Sequence, residues 1–411
     1  MSRVDMAARA RIQLADLVEL RRRLHTIPEV GLHLPDTQAA VLGALEGLDL
    51  SVRTGSACTS VVGVLEGGRP GPTVLLRADM DALPIREESG EPFAAENGSM
   101  HACGHDLHMA GLVGAARLLS AVRAELSGTV VFMFQPGEEG HDGARVMLEE
   151  GVLASGPEPP VAAYAVHVGP GRPGSLWTRP GAILAGLSEL AVEVRGQGGH
   201  GSAPHRASDP VPALCEIVGA LQTYVTRAHD VFDPVVITVS RLRAGHATNV
   251  IPETATLEAT VRTLSADVLE KTRTEVRDLA HHIARAHGLD AHVRFTPRYP
   301  VTRNDPAETA FALDVAGRVL GPDHVTGEHP PLMGSEDFSK VLEKVPGALM
   351  FLGTTPAGPT AATAPDVHSP RVRFADHMLH RHAALLAQLA FDRLAAHDAR
   401  PETASSKKGR R

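Results

Sequence analysis

The chain has 411 residues, enough for two domains with separate cores, and its 43% hydrophobic and 21% charged content is ordinary for a soluble globular protein. A net charge of -8 leaves no basic footprint, which argues against a nucleic-acid partner. Cys58, Cys103 and Cys215 are too few and too scattered for a disulfide framework. No apolar run reaches the ~18 to 20 residues that span a bilayer, and the N-terminus lacks the apolar core of a signal peptide, so a cytoplasmic protein is expected.

In chain order, residues 7–25 read as one amphipathic helix that "TIPEVG" stops, and "TSVVGVLEG" reads as a strand. Next comes "PTVLLRADMDALP", an apolar run ending in acids, and then "LVGAARLLSAVRAEL", with Leu112, Ala115, Leu119, Val122 and Leu126 at helical spacing. "GTVVFMFQPGEEG" is a continuous apolar strand that also ends in acids, and "PVAAYAVHVGP" is another that ends in a histidine. Strands apolar on both faces, alternating with helices, imply an α/β fold with a mostly parallel sheet covered by helices on both faces. Sheets of this type bind ligands outside the carboxyl ends of their strands, where all three polar clusters fall.

From residue 186 the pattern changes. "SELAVEVRG" alternates, with Leu190, Val192 and Val194 on one face and Ala191, Glu193 and Arg195 on the other, the mark of a half-solvated strand. The order that follows is β-α-β-β-α-β, so an inserted ferredoxin-like α+β domain is expected over 186–297. The catalytic α/β domain then comprises 1–185 and 298–398, the second part running through a helix at 307–320, helix "SEDFSKVLEKV", strand "GALMFLG" and a long final helix. The polar tail 399–411 reads as disordered.

The 22 histidines raise the expectation of a metal site without locating it. The stretch "MHACGHDLHMAGL" sharpens it: read as extended chain, Cys103 and His105 face the same way and converge on one ion. The helix behind them favours the thiolate form of Cys103. Glu138 and Glu139 follow a buried strand, where a general base and a metal ligand could stand side by side. His167 ends another buried strand, Asp79 and Asp81 suit the orientation of a ligand imidazole, and His368 lies in the Pro-bounded loop "PDVHSP". Cys58 and Cys215 read as core residues. No Gly-x-Ser-x-Gly elbow supports a serine hydrolase, and "GQGGHG" lacks the lysine of a phosphate loop.

The motifs "RADMDALPI", "MHACGHDLHMAGLVGAARLL", "FQPGEEGHDGARVM", "AVHVGPGRPG", "GQGGHGSAPH", "TNVIPETATLEATVRTL", "MGSEDF" and "VHSPRVRFAD" occur in this order. From about residue 18 to 395 the chain resembles the aminoacylase, hippurate hydrolase and auxin-conjugate (IAA-amino acid) hydrolase family of dinuclear metallopeptidases. The resemblance implies a zinc-exopeptidase-like catalytic domain in which Cys103, His105, Glu139, His167 and His368 hold two divalent metal ions. It also implies Glu138 as the base that activates water and Asp81 as the acid behind the ligands. His200, from the inserted domain, would reach the site from a partner subunit and donate a hydrogen bond to the oxyanion. A homodimer or tetramer through the inserted domain follows from the same resemblance. Two stretches depart from the family pattern, "HLPDTQ" and His377 after "RFAD", and neither carries a ligand.

The expected reaction is metal-dependent hydrolysis of the amide bond in N-acyl amino acids (N-acetyl, N-benzoyl or aryl-acyl conjugates), giving a carboxylic acid and a free amino acid. The mixed donor set suits Mn, Zn, Co or Ni better than Mg or Ca. The alternatives are a dipeptidase or aminopeptidase with the same metals, and an inactive binding protein of the same fold. A structural zinc site is disfavoured because the Cys/His spacing does not recur.

Overall fold

The computed structural model describes residues 5–356, 358 and 363–398, so the tail 399–411 lies outside the described residues. The chain forms two compact units: one of residues up to Gly181, Asn304–His329 and from Lys340 onward, the other of Ala182–Arg303 and Pro330–Ser339.

The first unit is built on an eight-stranded sheet. Across it stand Ser51–Thr54, Val61–Glu66, Ser127–Gln135, Arg69–Asp79, Pro160–Gly169, Gly347–Gly353, Leu176–Trp177 and Val325–Thr326. The central strands from Ser127–Gln135 to Gly347–Gly353 run parallel, as does the last pair, whereas the remaining neighbours are antiparallel. Val74, Leu76, Ala78, Val130, Phe132, Phe134, Tyr164, Val166, Met350 and Leu352 join one core with helices Leu14–His25, His105–Ser120, Pro306–Leu320 and Leu379–Asp398. Their neighbours in sequence, such as Leu75, Val131, Met133, Ala163 and Leu349, are buried as well. Polar residues therefore collect where the strands end.

Several local expectations change. The run 7–25 is two helices, Met6–Ile12 and Leu14–His25, joined at Gln13, with Ile12 left exposed. No proline or glycine breaks it; the first piece packs chiefly on the final helix and the second chiefly on His105–Ser120. The helix read through Leu126 stops at Ser120, and the one in "SEDFSKVLEKV" shrinks to Ser339–Leu342. Cys58 is buried, but Cys215 is exposed on its helix, so it is no core residue.

The second unit has a four-stranded antiparallel sheet ordered Val235–Ala244, Thr254–Thr263, Gly186–Arg195, Asp290–Tyr299. Leu190, Val192 and Val194 face helices Pro210–Ala228 and Ala266–Ala286, contacting Ile217, Leu221, Val276 and Ala280 in a single core. Asp209 and Ser265 cap these helices by accepting from Val211 N and Val268 N, as short polar side chains do at helix starts. Residues 330–339, read from sequence with the last part of the catalytic domain, fold here. Leu332 pairs with Leu184, and Arg262 donates to Met333 O at 3.0 Å.

Candidate metal centre

Cys103 and His105 converge, but not through extended chain. His105 opens the helix His105–Ser120, and Gly104 before it is left-handed at φ +80°. A Cβ on Gly104 would lie 2.4 Å from Val168 Cγ2, so both the conformation and the close approach require glycine. The two ligand-type residues thus point together because of a turn, not because of strand alternation.

Each imidazole is oriented by its other nitrogen. His105 Nδ1 donates to Asp81 O at 2.8 Å, and its buried Nε2, 3.6 Å from Asp79 Oδ2, makes no hydrogen bond among the described residues. His167 Nδ1 donates to Val168 O at 2.6 Å, and its Nε2 lies 3.5 Å from Cys103 Sγ. Such outer hydrogen bonds fix the tautomer of a metal-binding histidine. His368 adopts φ +66°, an unusual backbone state for a non-glycine, while its N–H donates to Ala102 O at 2.9 Å. Its Nε2 stands 3.2 Å from the buried Glu139 Oε1, an ion pair between two ligand-type side chains.

Asp81 is fully buried and its two oxygens accept the N–H groups of Glu138 and Glu139 at 2.9 and 3.0 Å. Its carboxylate therefore arranges the Glu–Glu loop, whereas it is its backbone carbonyl that orients His105. Asp79 does its work one layer further back. It accepts from Arg77 Nη1 at 2.6 Å and from His108 Nδ1 at 2.5 Å, and His108 Nε2 accepts from Val168 N at 2.8 Å. His108 lies in the stretch "MHACGHDLHMAGL" but has no role assigned from sequence alone. The signal was present, because His105 and His108 are three apart and share a helix face.

The potential ligand atoms of Cys103, His105 and His167 lie within 4.8 Å of one another. The same holds for Cys103, Glu139 and His368, and for His105, Glu138 and Glu139. Electrostatics match the geometry. Burial alone would raise the Cys103 thiol, but His167, His105 and His368 hold it at about 6. Hydrogen bonding to Cys103 and Glu139 lifts His368 to about 10. Burial opposes the ionised Glu139, yet His368 and His105 keep it below its usual range. A buried thiolate, three imidazoles and a carboxylate, with the buried His105 Nε2 making no hydrogen bond among the described residues, fit a divalent metal. All of these residues belong to the first unit.

His200 belongs to the second unit. It sits exposed on the two-residue strand Gly199–His200, paired with Val250–Ile251, and its Nδ1 accepts from Ser202 N at 3.1 Å.

Comparison with known proteins shows the family. The model of Peptidase family M20/M25/M40 matches residues 75–392. The chain is 37% identical over 341 residues to N-acetylcysteine deacetylase of Bacillus subtilis, covering 82% of this chain and 88% of the relative. It is 37% identical over 344 residues to thermostable carboxypeptidase 2 of Saccharolobus solfataricus, covering 82% and 86%. It is likewise 37% identical over 380 residues to IAA-amino acid hydrolase ILR1-like 4 of Arabidopsis thaliana, covering 91% and 84%. Among solved structures, a Bacillus subtilis dinuclear metal binding peptidase superposes with a TM-score of 0.80 at 32% identity, covering 93% of this chain and 99% of the other. The chain belongs to peptidase family M20/M25/M40.

Proposed function

We propose that this protein is a metal-dependent amidohydrolase that cleaves N-acyl amino acids into a carboxylic acid and a free amino acid. The observation that carries the reading is the meeting of Cys103, His105, Glu138, Glu139, His167 and His368, from well-separated parts of the sequence, in overlapping groups of ligand-type atoms within 4.8 Å, with Asp81 holding the Glu138–Glu139 loop behind them. Cys103, His105, Glu139, His167 and His368 would hold two divalent ions, Mn, Zn, Co or Ni. Cys103 would enter the site as the thiolate, the form its neighbouring imidazoles favour. When bound, the ions supply Lewis-acid polarisation of the amide carbonyl and of a water molecule. Glu138, 7% exposed beside Glu139, would take the water's proton and pass it to the leaving nitrogen. Asp81 keeps that carboxylate in place through the Glu138 and Glu139 N–H groups.

His200 is assigned to the oxyanion, its Nδ1 tied to Ser202 and its Nε2 left to donate. It would act across a homodimer or tetramer formed through the second unit. No helix among the described residues is long and apolar enough to cross a membrane, and a cytoplasmic setting is part of the proposal.

The deacetylase and IAA-conjugate hydrolase relatives favour blocked substrates, whereas the carboxypeptidase relative favours a second reading as a peptidase using the same centre. A panel of N-acetyl, N-benzoyl and indole-acetyl amino acids, run beside free dipeptides, decides between them. Hydrolysis of the blocked compounds is expected; hydrolysis of dipeptides alone would install the peptidase reading.

A further inference from the structure

Behind the turn that carries Cys103 and His105 lies a second cluster, which the chemistry above does not use. Asp106 follows His105 directly and is fully buried. Its Oδ2 lies 2.7 Å from Arg21 Nε and 2.7 Å from His25 Nδ1, both from helix Leu14–His25. Arg21 Nη1 also reaches Asp376 Oδ1 at 2.9 Å, and His25 Nε2 lies 3.1 Å from each oxygen of Glu87. Phe93 closes the layer, with the Arg21 guanidinium 4.8 Å over its ring and His25 edge-on at 5.4 Å.

As a source of stability this arrangement is poor. Arg21 and His25 are only 1% and 2% exposed, and charges at that depth give up hydration that their mutual attraction barely restores. Apolar side chains of similar volume would fill such a layer at no loss. Asp106 Oδ1 and both ring nitrogens of the adjacent buried His101 have no hydrogen-bond partner among the described residues. Direction is what the cluster provides. The helix His105–Ser120 starts at Gly104, which offers no side-chain cap to fix its first turn. The Asp106 carboxylate, gripped by Arg21 and His25 together, fixes that turn instead, and with it the neighbouring His105 ring.

We infer that Arg21, His25 and Asp106 are positioning residues that set the Cys103–Gly104–His105 turn for a divalent metal ion, so that metal affinity depends on a helix near the start of the chain. This rests on the metal-centre reading above.

Cobalt(II) titration of the metal-stripped full-length protein tests it, followed by the thiolate-to-cobalt absorption that Cys103 contact produces. Loss of outer partners of a metal ligand typically weakens binding about 10- to 100-fold, and Asp106→Asn and Arg21→Met are expected to fall in that range. Leu17→Ala, a fully buried apolar residue of the same helix, is the control: it should lower the Tm and leave cobalt affinity unchanged. If those charge-removing variants fold poorly, Arg21→Lys keeps the charge but loses the planar fork, and should still bind cobalt more weakly. Folded variants that bind cobalt like the wild type overturn the inference. So does Leu17→Ala weakening cobalt as much as Asp106→Asn at equal loss of Tm. A wild-type protein without the thiolate–cobalt band would instead remove the metal-centre reading itself.

Discussion

The two units use their sheets in opposite ways. In the first, the central strands are buried on both faces, and charged groups such as Arg77, Asp79, Asp81 and His105 lie at their ends with almost no exposure. In the second, one sheet face covers a core and the other meets water, with Glu189 and Arg195 exposed. Its candidate functional residue, His200, stands on an exposed ribbon. A sheet closed on both sides leaves polar side chains only its strand ends, where each must find a specific partner. A sheet open on one side makes no such demand. That contrast leaves the desolvated ligand-type side chains in the first unit and the exposed His200 in the second.

The sharpest way to break the contrast is at Glu138. Glu138→Gln keeps the shape of the side chain but cannot accept a proton, so turnover should fall roughly 10²- to 10⁴-fold with metal content unchanged. Near-normal turnover in a fully metallated variant would remove Glu138 from the mechanism.

Next is a paired stability measurement. Arg77→Met leaves the buried Asp79 carboxylate without its guanidinium partner at 2.6 Å, and chemical denaturation should show a loss of about 3–5 kcal/mol. Arg195→Ala removes an exposed pair with Glu193 on the open sheet and should change stability by less than about 0.5 kcal/mol. Equal losses would erase the distinction between the two sheets.

His200→Ala should lower turnover about 10²- to 10³-fold, the usual cost of one oxyanion donor, with metal content and assembly intact. If His200 serves a partner's site, mixing this variant with Glu138→Gln should restore activity as subunits exchange. Exchange without recovered activity would contradict the cross-subunit role.

A smaller effect concerns pH. Burial disfavours the charged His25 ring, but Asp106 and Glu87 outweigh it and raise the group from 6.5 to about 9. A group raised on folding stabilises fully below its unfolded value and loses that contribution as pH rises through its folded one. Because the depressed Cys103 thiol contributes in the opposite sense over the same range, the His25 share is read as the difference in denaturation midpoint between the wild type and His25→Phe, which should shrink between about pH 6.5 and 9. A difference that stays constant over that window would show that the ring is not held charged.

Much of this contrast was legible in the sequence. The apolar runs ending in "DMDALP", "PGEEG" and "HVGP" marked the two-faced strands, and the alternation of Leu190, Val192 and Val194 marked the one-faced sheet. The candidate ligands were legible through residue type and resemblance. What local pattern could not carry was pairing between distant segments. Arg21 meets Asp106 across the chain, Leu332 returns to Leu184, and the helix breaks at Gln13 because its halves pack chiefly on different partners. The Cys103–His105 convergence was expected from strand alternation, yet it depends on one left-handed glycine wedged against Val168.

The most direct test of the central claim is metal-dependent turnover of blocked substrates. The protein is stripped with a chelator, reloaded separately with Mn, Zn, Co or Ni, and assayed on N-acetyl, N-benzoyl and indole-acetyl amino acids. The account predicts hydrolysis of at least one compound, lost on stripping and restored by at least one of these ions, with two ions bound per chain. Hydrolysis that survives complete metal removal, or no cleavage of any blocked substrate by fully loaded protein, would contradict it.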